Sequence, residues 1–305
     1  VRAIRFTKMH GLGNDYVYVD CICQSLEGLD LPGLSRAISD RHRGVGSDGL
    51  ILICPPEPGV EADVRMEMYN ADGSRGEMCG NGIRCVARYT IEHGLVRPGG
   101  AAPRDAAGEP VGADLRVQTD RGILQLMAFV SGGVVRTVRV DMGSPVLRPR
   151  EIPVAVEGER CIRQPIEVAG VALMMSCVSM GNPHAVFFVE SLERIDLARL
   201  GPAVERHPLF PRRVNAHFVA VQSPREATMK TWERGSGVTQ ACGTGACAVL
   251  VAGVLEGRLE RAALLHLPGG DLQIEWPDGI GSPVFMTGPA EEVFSGEWPV
   301  REGRA

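Results

Sequence analysis

Apolar and polar residues alternate in short runs along most of the chain. Tyr16–Asp20, Leu50–Ile53, Val64–Met68, Val134–Val140, Ala185–Val189 and Phe218–Val221 carry this period of two and are predicted strands. Three stretches break the alternation. Leu31–Asp40 has helical spacing and closes at the Gly44 region. Gly82–His93 and Gly245–Glu256 begin with small apolar residues, carry a glutamate near the end, and are followed by Gly94 and Gly257 as C-terminal stops, so both are predicted helices. Arg97–Asp114 is too rich in Gly, Pro and Ala to pack a core and is expected to be a surface insertion. The prolines of Pro55–Pro58 and Pro208–Pro211 punctuate further loops. A strand-rich chain with a few helices is an α+β protein.

The pattern occurs twice. Gly13-Asn14-Asp15-Tyr16 leads into a strand as Gly181-Asn182-Pro183-His184 does, at an offset of 168, and Cys79-Gly80-Asn81-Gly82 matches Cys242-Gly243-Thr244-Gly245 at an offset of 163. A polar residue stands nine positions before each cysteine, Asn70 and Glu233. Echoes in register across both halves indicate an internal duplication, with a functional site expected where the halves face each other.

In each half a strand, Met66–Tyr69 or Ala227–Trp232, runs through a glycine-rich loop into Cys-Gly-x-Gly and a helix. The cysteine then stands at a helix N-terminus, where unpaired N–H groups favour an anion and lower a thiol pKa. The glycines let the backbone approach a ligand closely. Such a loop offers a thiol suited to proton transfer beside amides that bind a carboxylate. Two copies suggest a symmetrical chemistry. One thiolate removes the α-proton of an amino acid, the other thiol returns a proton to the opposite face, and the amides stabilise the developing charge without an electron-sink cofactor.

Composition narrows the alternatives. At 305 residues the chain has room for two domains, and its net charge of −5 gives no basic footprint for nucleic acid. Lys8 and Lys230 are the only lysines, which weakens any Schiff-base reading. No run approaches a membrane span, and nine cysteines without a signal-peptide layout at Val1–Asp20 favour free thiols in a reducing cytoplasm. A small-molecule substrate is the expected partner, with neither nucleic acid nor membrane. Cys21, Cys23, Cys54, Cys161 and Cys177 are expected to be small buried hydrophobes, and Cys85 and Cys247 packing residues. No Cys-x2-Cys pair exists and the seven histidines lack ligand spacing, so no metal is expected. Gly44-Val45-Gly46-Ser47-Asp48-Gly49 fits a dinucleotide fingerprint only literally, since a strand follows it where a helix is needed. His184, inside the repeated segment, is the histidine expected to line the site, whereas His207 and His266 read as surface or satisfied core residues.

Four blocks resemble the diaminopimelate epimerase family: Lys8-Met9-His10-Gly11-Leu12-Gly13-Asn14-Asp15; Asn70-Ala71-Asp72-Gly73-Ser74 through Met78-Cys79-Gly80-Asn81-Gly82-Ile83-Arg84-Cys85; Gly181-Asn182-Pro183-His184; and Trp232-Glu233-Arg234-Gly235 through Ala241-Cys242-Gly243-Thr244-Gly245-Ala246. Gly288-Pro289-Ala290 looks like that family's closing strand. The resemblance implies two pseudo-symmetric domains of the diaminopimelate epimerase fold, each a mostly antiparallel, barrel-like sheet around a central helix. It divides the chain at 1–140, joined by a return strand at about 286–305, and 141–285. It implies cofactor-independent epimerisation of LL- to meso-2,6-diaminopimelate, in lysine and peptidoglycan biosynthesis, with Cys79 and Cys242 as the acid/base pair. Gly80, Asn81, Gly243 and Thr244 would present amides to the reacting carboxylate. Asn14, Asn70, Asn182, Asn215, Glu233 and Arg234 would hold the rest of the substrate. A homodimer is compatible with this reading.

The chemistry of the residues fits. Arg234 can grip a distal carboxylate as a fork and Glu233 can accept from an ammonium. Some relatives carry glutamine where Gly49 stands, so Gly49 is given no binding role. A proline-type two-cysteine racemase, which needs an apolar ring pocket, is disfavoured by Glu233-Arg234. A thiol redox protein is disfavoured by the absence of Cys-x-x-Cys.

Overall fold

A computed structural model describes residues 3–76, 78–96 and 112–300. The chain packs as two compact units, residues 1–140 with 288–305, and residues 141–287. The first unit runs β1 (Ala3–Gly11), β2 (Asn14–Asp20), α1 (Leu31–Ser39), β3 (Gly49–Cys54), β4 (Val64–Asn70), β5 (Arg75–Gly76), α2 (Gly80–Glu92), β6 (Gly112–Thr119), β7 (Gly122–Ser131) and β8 (Val134–Asp141). The second runs β9 (Gln164–Val168), β10 (Val171–Ser179), β11 (Pro183–Phe188), α3 (Leu197–Glu205), β12 (Asn215–Ser223), β13 (Glu226–Glu233), β14 (Gly237–Val238), α4 (Gly243–Leu255), β15 (Ala262–Leu267), β16 (Gly270–Glu275) and β17 (Phe285–Gly288). The chain then returns to the first unit as β18 (Glu291–Pro299), which pairs antiparallel with β1.

From β1 to β8 and from β10 to β17 the order of elements is the same. Pairing repeats as well: β2–β3 and β4–β6 are parallel in one unit, β11–β12 and β13–β15 in the other, and the neighbouring pairs are antiparallel. Even the added edge is matched, β18 on β1 and β9 on β10. This register aligns Gly49 with Asn215, Ile51 with His217, Tyr16 with His184, and Asn70 with Glu233.

Each unit curves its mostly antiparallel sheet round one buried helix. Helix α4 is apolar on every side and touches β10, β11, β12, β15 and β16, with Ala246 to Ala252 fully buried. Helix α2 touches β1, β2, β7 and β18 and buries Ile83, Val86 and Ala87. A second layer forms under the shorter helices. Ile38 of α1 joins Val17, Val19, Leu50 and Leu52, and Leu200 and Val204 of α3 join Phe187 and Phe218, whose rings stack at 5.1 Å.

Several expectations need correction. Helix α3 is not among the expected helices and contains Pro202; the turn survives on its Asp196 cap, whose carboxylate accepts from Arg199 N, and on the Arg206 N–H donating to Pro202 O. Gly288-Pro289-Ala290 is not the closing strand. Gly288 ends β17 and Pro289-Ala290 link it to β18, which is itself largely exposed, so its sequence shows no clean alternation. Of the expected insertion, residues 97–111 lie outside the described residues, and Gly112, Ala113 and Asp114 already belong to β6. Among the described residues no helix is long and apolar enough to cross a membrane.

Candidate active-site thiols

Cys79 is the N-cap of α2. Its backbone is extended (φ −127°, ψ 117°), and its sulfur accepts the Gly82 N–H at 3.4 Å. A Cβ at Gly82 would stand 2.6 Å from Ile51 Cδ1, so a side chain here would displace the end of Ile51. The thiol donates to Asn14 Oδ1 at 3.2 Å, and Asn14 Nδ2 donates to Asp48 Oδ2 at 2.7 Å. Arg41 bridges Asp48 and Asp15, and Asp15 also pairs with Lys8 at 2.5 Å. Burial pushes the Asp15 carboxyl up, but Arg41 and Lys8 together outweigh it and hold it below its ordinary range. Tyr16 lies beside Cys79, and burial followed by the charge of that sulfur raises its phenol well above the usual value.

The loop before α2 is held from beneath by Arg84. This fully buried guanidinium donates to Gly80 O (3.2 Å), Asn81 Oδ1 (3.0 Å) and Pro289 O (2.9 Å). Gly11 clears the space for it, since a Cβ there would lie 2.8 Å from Arg84 Nη2. Asn81 is thus engaged inside the fold, and Asn70 Nδ2 donates to Ser74 Oγ at 2.9 Å. Gly80 and Asn81 open α2, so their N–H groups belong to the first turn, which has no intrahelical acceptors. Gly49 admits no side chain: a Cβ would stand 2.2 Å from Tyr69 O and 2.9 Å from Tyr16 Cε1.

Cys242 caps α4 in the same extended conformation (φ −123°, ψ 101°) but in different company. Its sulfur is 3.7 Å from Thr244 Oγ1 and near the Gly245 N–H and the Glu233 carboxylate. Burial first, then the Glu233 charge, raises the thiol well above its ordinary value, so Cys242 rests protonated. Glu233 Oε1 accepts from Thr239 Oγ1 at 2.5 Å. Asn182 Oδ1 faces His184 Nε2 at 2.9 Å, His184 Nδ1 faces His217 Nε2 at 2.9 Å, and His217 Nδ1 faces Thr231 Oγ1 at 2.9 Å. Both imidazoles are fully buried and held neutral. Burial, joined for His184 by the neighbouring His217 and Arg234, lowers their pKa, that of His217 to about 3. Asn215 is an internal clamp, donating to Pro183 O at 3.1 Å and accepting Arg234 N–H at 2.8 Å. The Arg234 guanidinium donates to Arg212 O at 3.1 Å.

The two caps are therefore topologically equivalent and chemically unlike. Where Cys79 has Tyr16 and Ile51, Cys242 has His184 and His217, and Asn70 is matched by Glu233. Asn14, Asn70, Asn81, Asn182 and Asn215 each hydrogen-bond a neighbouring protein atom. Arg84 and His217 are not among the residues expected to form the site. Arg84 had a signal, as the one charge in the first two turns of α2; His217 had one as well, sitting two residues from Asn215 on the same strand face. Burial of the other cysteines also differs in part: Cys54, Cys85, Cys161, Cys177 and Cys247 are buried, but Cys21 is half-buried and Cys23 exposed.

The family profile described as diaminopimelate epimerase matches residues 6–148 and 176–293. A diaminopimelate epimerase of Pelotomaculum thermopropionicum is 49% identical over 298 residues, covering 98% of this chain and 100% of that protein. One of Geobacillus kaustophilus is 46% identical over 307 residues, covering 100% and 99%. Among solved structures, a hydroxyproline epimerase from Agrobacterium vitis superposes with a TM-score of 0.67 over 97% of this chain and 92% of its own, at 16% identity, a likeness of fold alone. On the family profile and the full-length relatives, the chain belongs to the diaminopimelate epimerase family.

Proposed function

We propose that this protein epimerises LL-2,6-diaminopimelate to the meso form by two-base proton transfer between Cys79, Cys242 and one α-carbon. The observation that carries this reading is the duplicated cap: each thiol stands at the N-terminus of the buried central helix of its own unit, next to first-turn amides. In one direction one cysteine takes the α-proton as thiolate while the other returns a proton as thiol, and the roles exchange in reverse. The N–H groups of Gly80 and Asn81, and of Gly243 and Thr244, receive the reacting carboxylate and the charge that builds on it. Asn14 and Asn182 each hold the group beside a thiol. Arg234 takes the distal carboxylate and Glu233 an ammonium, a pair of charges that an amino acid without a second carboxylate cannot satisfy. The chain's two amines are committed elsewhere: Lys8 pairs with Asp15 and donates to Gly46 O, and Lys230 donates to Leu192 O at 3.1 Å. Proton abstraction therefore falls to the thiols. Nine free cysteines fit a reducing, cytoplasmic setting.

Proton NMR of the reduced enzyme in D2O tests the reading, with LL-diaminopimelate, L-lysine and L-proline supplied separately. Exchange of the diaminopimelate α-proton with appearance of the meso isomer is expected, and lysine stays inert. Cys79→Ser and Cys242→Ser each lower epimerisation by at least about a hundredfold, the low end of what a general acid or base supplies. Exchange of proline with diaminopimelate untouched would overturn the substrate assignment.

A further inference from the structure

We propose that His184, His217 and Cys242 form a binding site for a soft divalent cation of the zinc type, and that the ion, by occupying the thiolate, shuts off proton transfer. One ligand atom from each residue lies within 4.8 Å of the other two, and all three residues are buried. In tetrahedral zinc coordination, bond lengths of about 2.0–2.1 Å to nitrogen and 2.3 Å to sulfur put neighbouring ligand atoms about 3.3–3.6 Å apart. The two imidazoles now face each other at 2.9 Å. The three donors therefore reach coordinating positions by moves of about 1 Å, on the scale of side-chain adjustment. Two imidazoles and a thiolate select zinc, cobalt or cadmium over magnesium or calcium.

The protons balance without a further group. The hydrogen now shared between His217 Nε2 and His184 Nδ1 moves to His217 Nδ1, where Thr231 Oγ1 at 2.9 Å changes from donor to acceptor. His184 keeps its Nε2 proton on Asn182 Oδ1. The Cys242 thiol proton leaves to solvent, so one proton is released per ion bound. The thiolate and the nearby Glu233 carboxylate together match the double positive charge, which offsets the unfavourable positive end of α4. A metal-bound thiolate can neither accept nor return the α-proton. The first unit serves as an internal control, since Tyr16 and Ile51 stand in the places equivalent to His184 and His217.

The test is a metal titration of the full chain, stripped with a chelator and reduced with a phosphine in place of a thiol. Cobalt is added first and then displaced by zinc. One cobalt per chain is expected, with a sulfur-to-metal charge-transfer band and visible bands of tetrahedral intensity. Cys242→Ser abolishes the band, His217→Asn weakens binding at least tenfold, and Cys79→Ser leaves it intact. Thr231→Val, which keeps the shape and removes the acceptor for the displaced proton, weakens binding several-fold and guards against misfolding of the histidine variant. Zinc inhibits turnover stoichiometrically and chelator restores it. A band that survives Cys242→Ser, a band lost in Cys79→Ser, or unchanged affinity in folded His217→Asn would each overturn the site. The titration is read by spectrum and stoichiometry, so it stands or falls independently of the diaminopimelate assignment.

Discussion

Gly245→Ala tests how tightly the Cys242 cap is built around His217. The substitution places a methyl 2.3 Å from His217 Cε1 and 2.8 Å from its Nε2. Non-bonded carbons settle at about 3.5–4.0 Å, so the ring must retreat by about 1 Å. It is anchored on both sides, by His184 and by Thr231 at 2.9 Å each, so the retreat loosens a buried hydrogen bond. Overpacking costs roughly 1–3 kcal/mol, and loosening one buried hydrogen bond adds about 1 kcal/mol. Alanine in place of glycine in a helix returns about 0.8–1.0 kcal/mol. The variant should therefore be destabilised by about 1–3 kcal/mol. In a His217→Ala background the obstruction is gone and the sign reverses, with Gly245→Ala now stabilising by up to about 1 kcal/mol. Urea unfolding of the four proteins, followed through the buried Trp276 and half-buried Trp232 of the same unit, measures the difference directly. If Gly245→Ala has the same effect in both backgrounds to within about 0.5 kcal/mol, the two residues are not coupled and the packing argument fails.

Two further predictions concern the other cap and the buried histidines. Arg84→Met removes the donors that hold Gly80 O, Asn81 Oδ1 and Pro289 O in a buried setting; a loss of roughly 3 kcal/mol or more is expected in urea unfolding, and a loss below about 1 kcal/mol would show that the loop holds without it. Acid should also destabilise the second unit. His217 titrates at about 3 in the folded chain and near 6.5 unfolded, so its contribution is complete above pH 6.5 and falls by about 1.4 kcal/mol per pH unit as the pH drops towards 3. By pH 5 that amounts to about 2 kcal/mol, visible as a drop in unfolding midpoint that is smaller in His217→Ala, where only His184 remains as a buried imidazole of lowered pKa; equal losses in both proteins would refute it.

Much of the architecture was readable along the chain because it is written in local pattern. Helices α1, α2 and α4 and the strands on which Cys79 and Cys242 depend follow from periodicity, from glycine stops and from the repeated Cys-Gly-x-Gly. Where local signals conflicted with tertiary support, they misled. Pro202 reads as a helix breaker, yet α3 is capped and packed well enough to contain it. The exposed β18 carries no alternation, because only its pairing with β1 makes it a strand.

The duplication itself, the two helix-capping thiols and the family could be reached from residue order, since each is a matter of spacing between neighbours in sequence. The different surroundings of the two thiols could not. Tyr16 and Ile51 meet Cys79, and His184 and His217 meet Cys242, only because parallel strand pairs and a glycine contact bring together residues 25 to 63 positions apart. A buried imidazole, a guanidinium under a loop and a carboxylate beside a thiol acquire their charge states from desolvation and from one another. Those are properties of proximity, and the folded chain alone decides them.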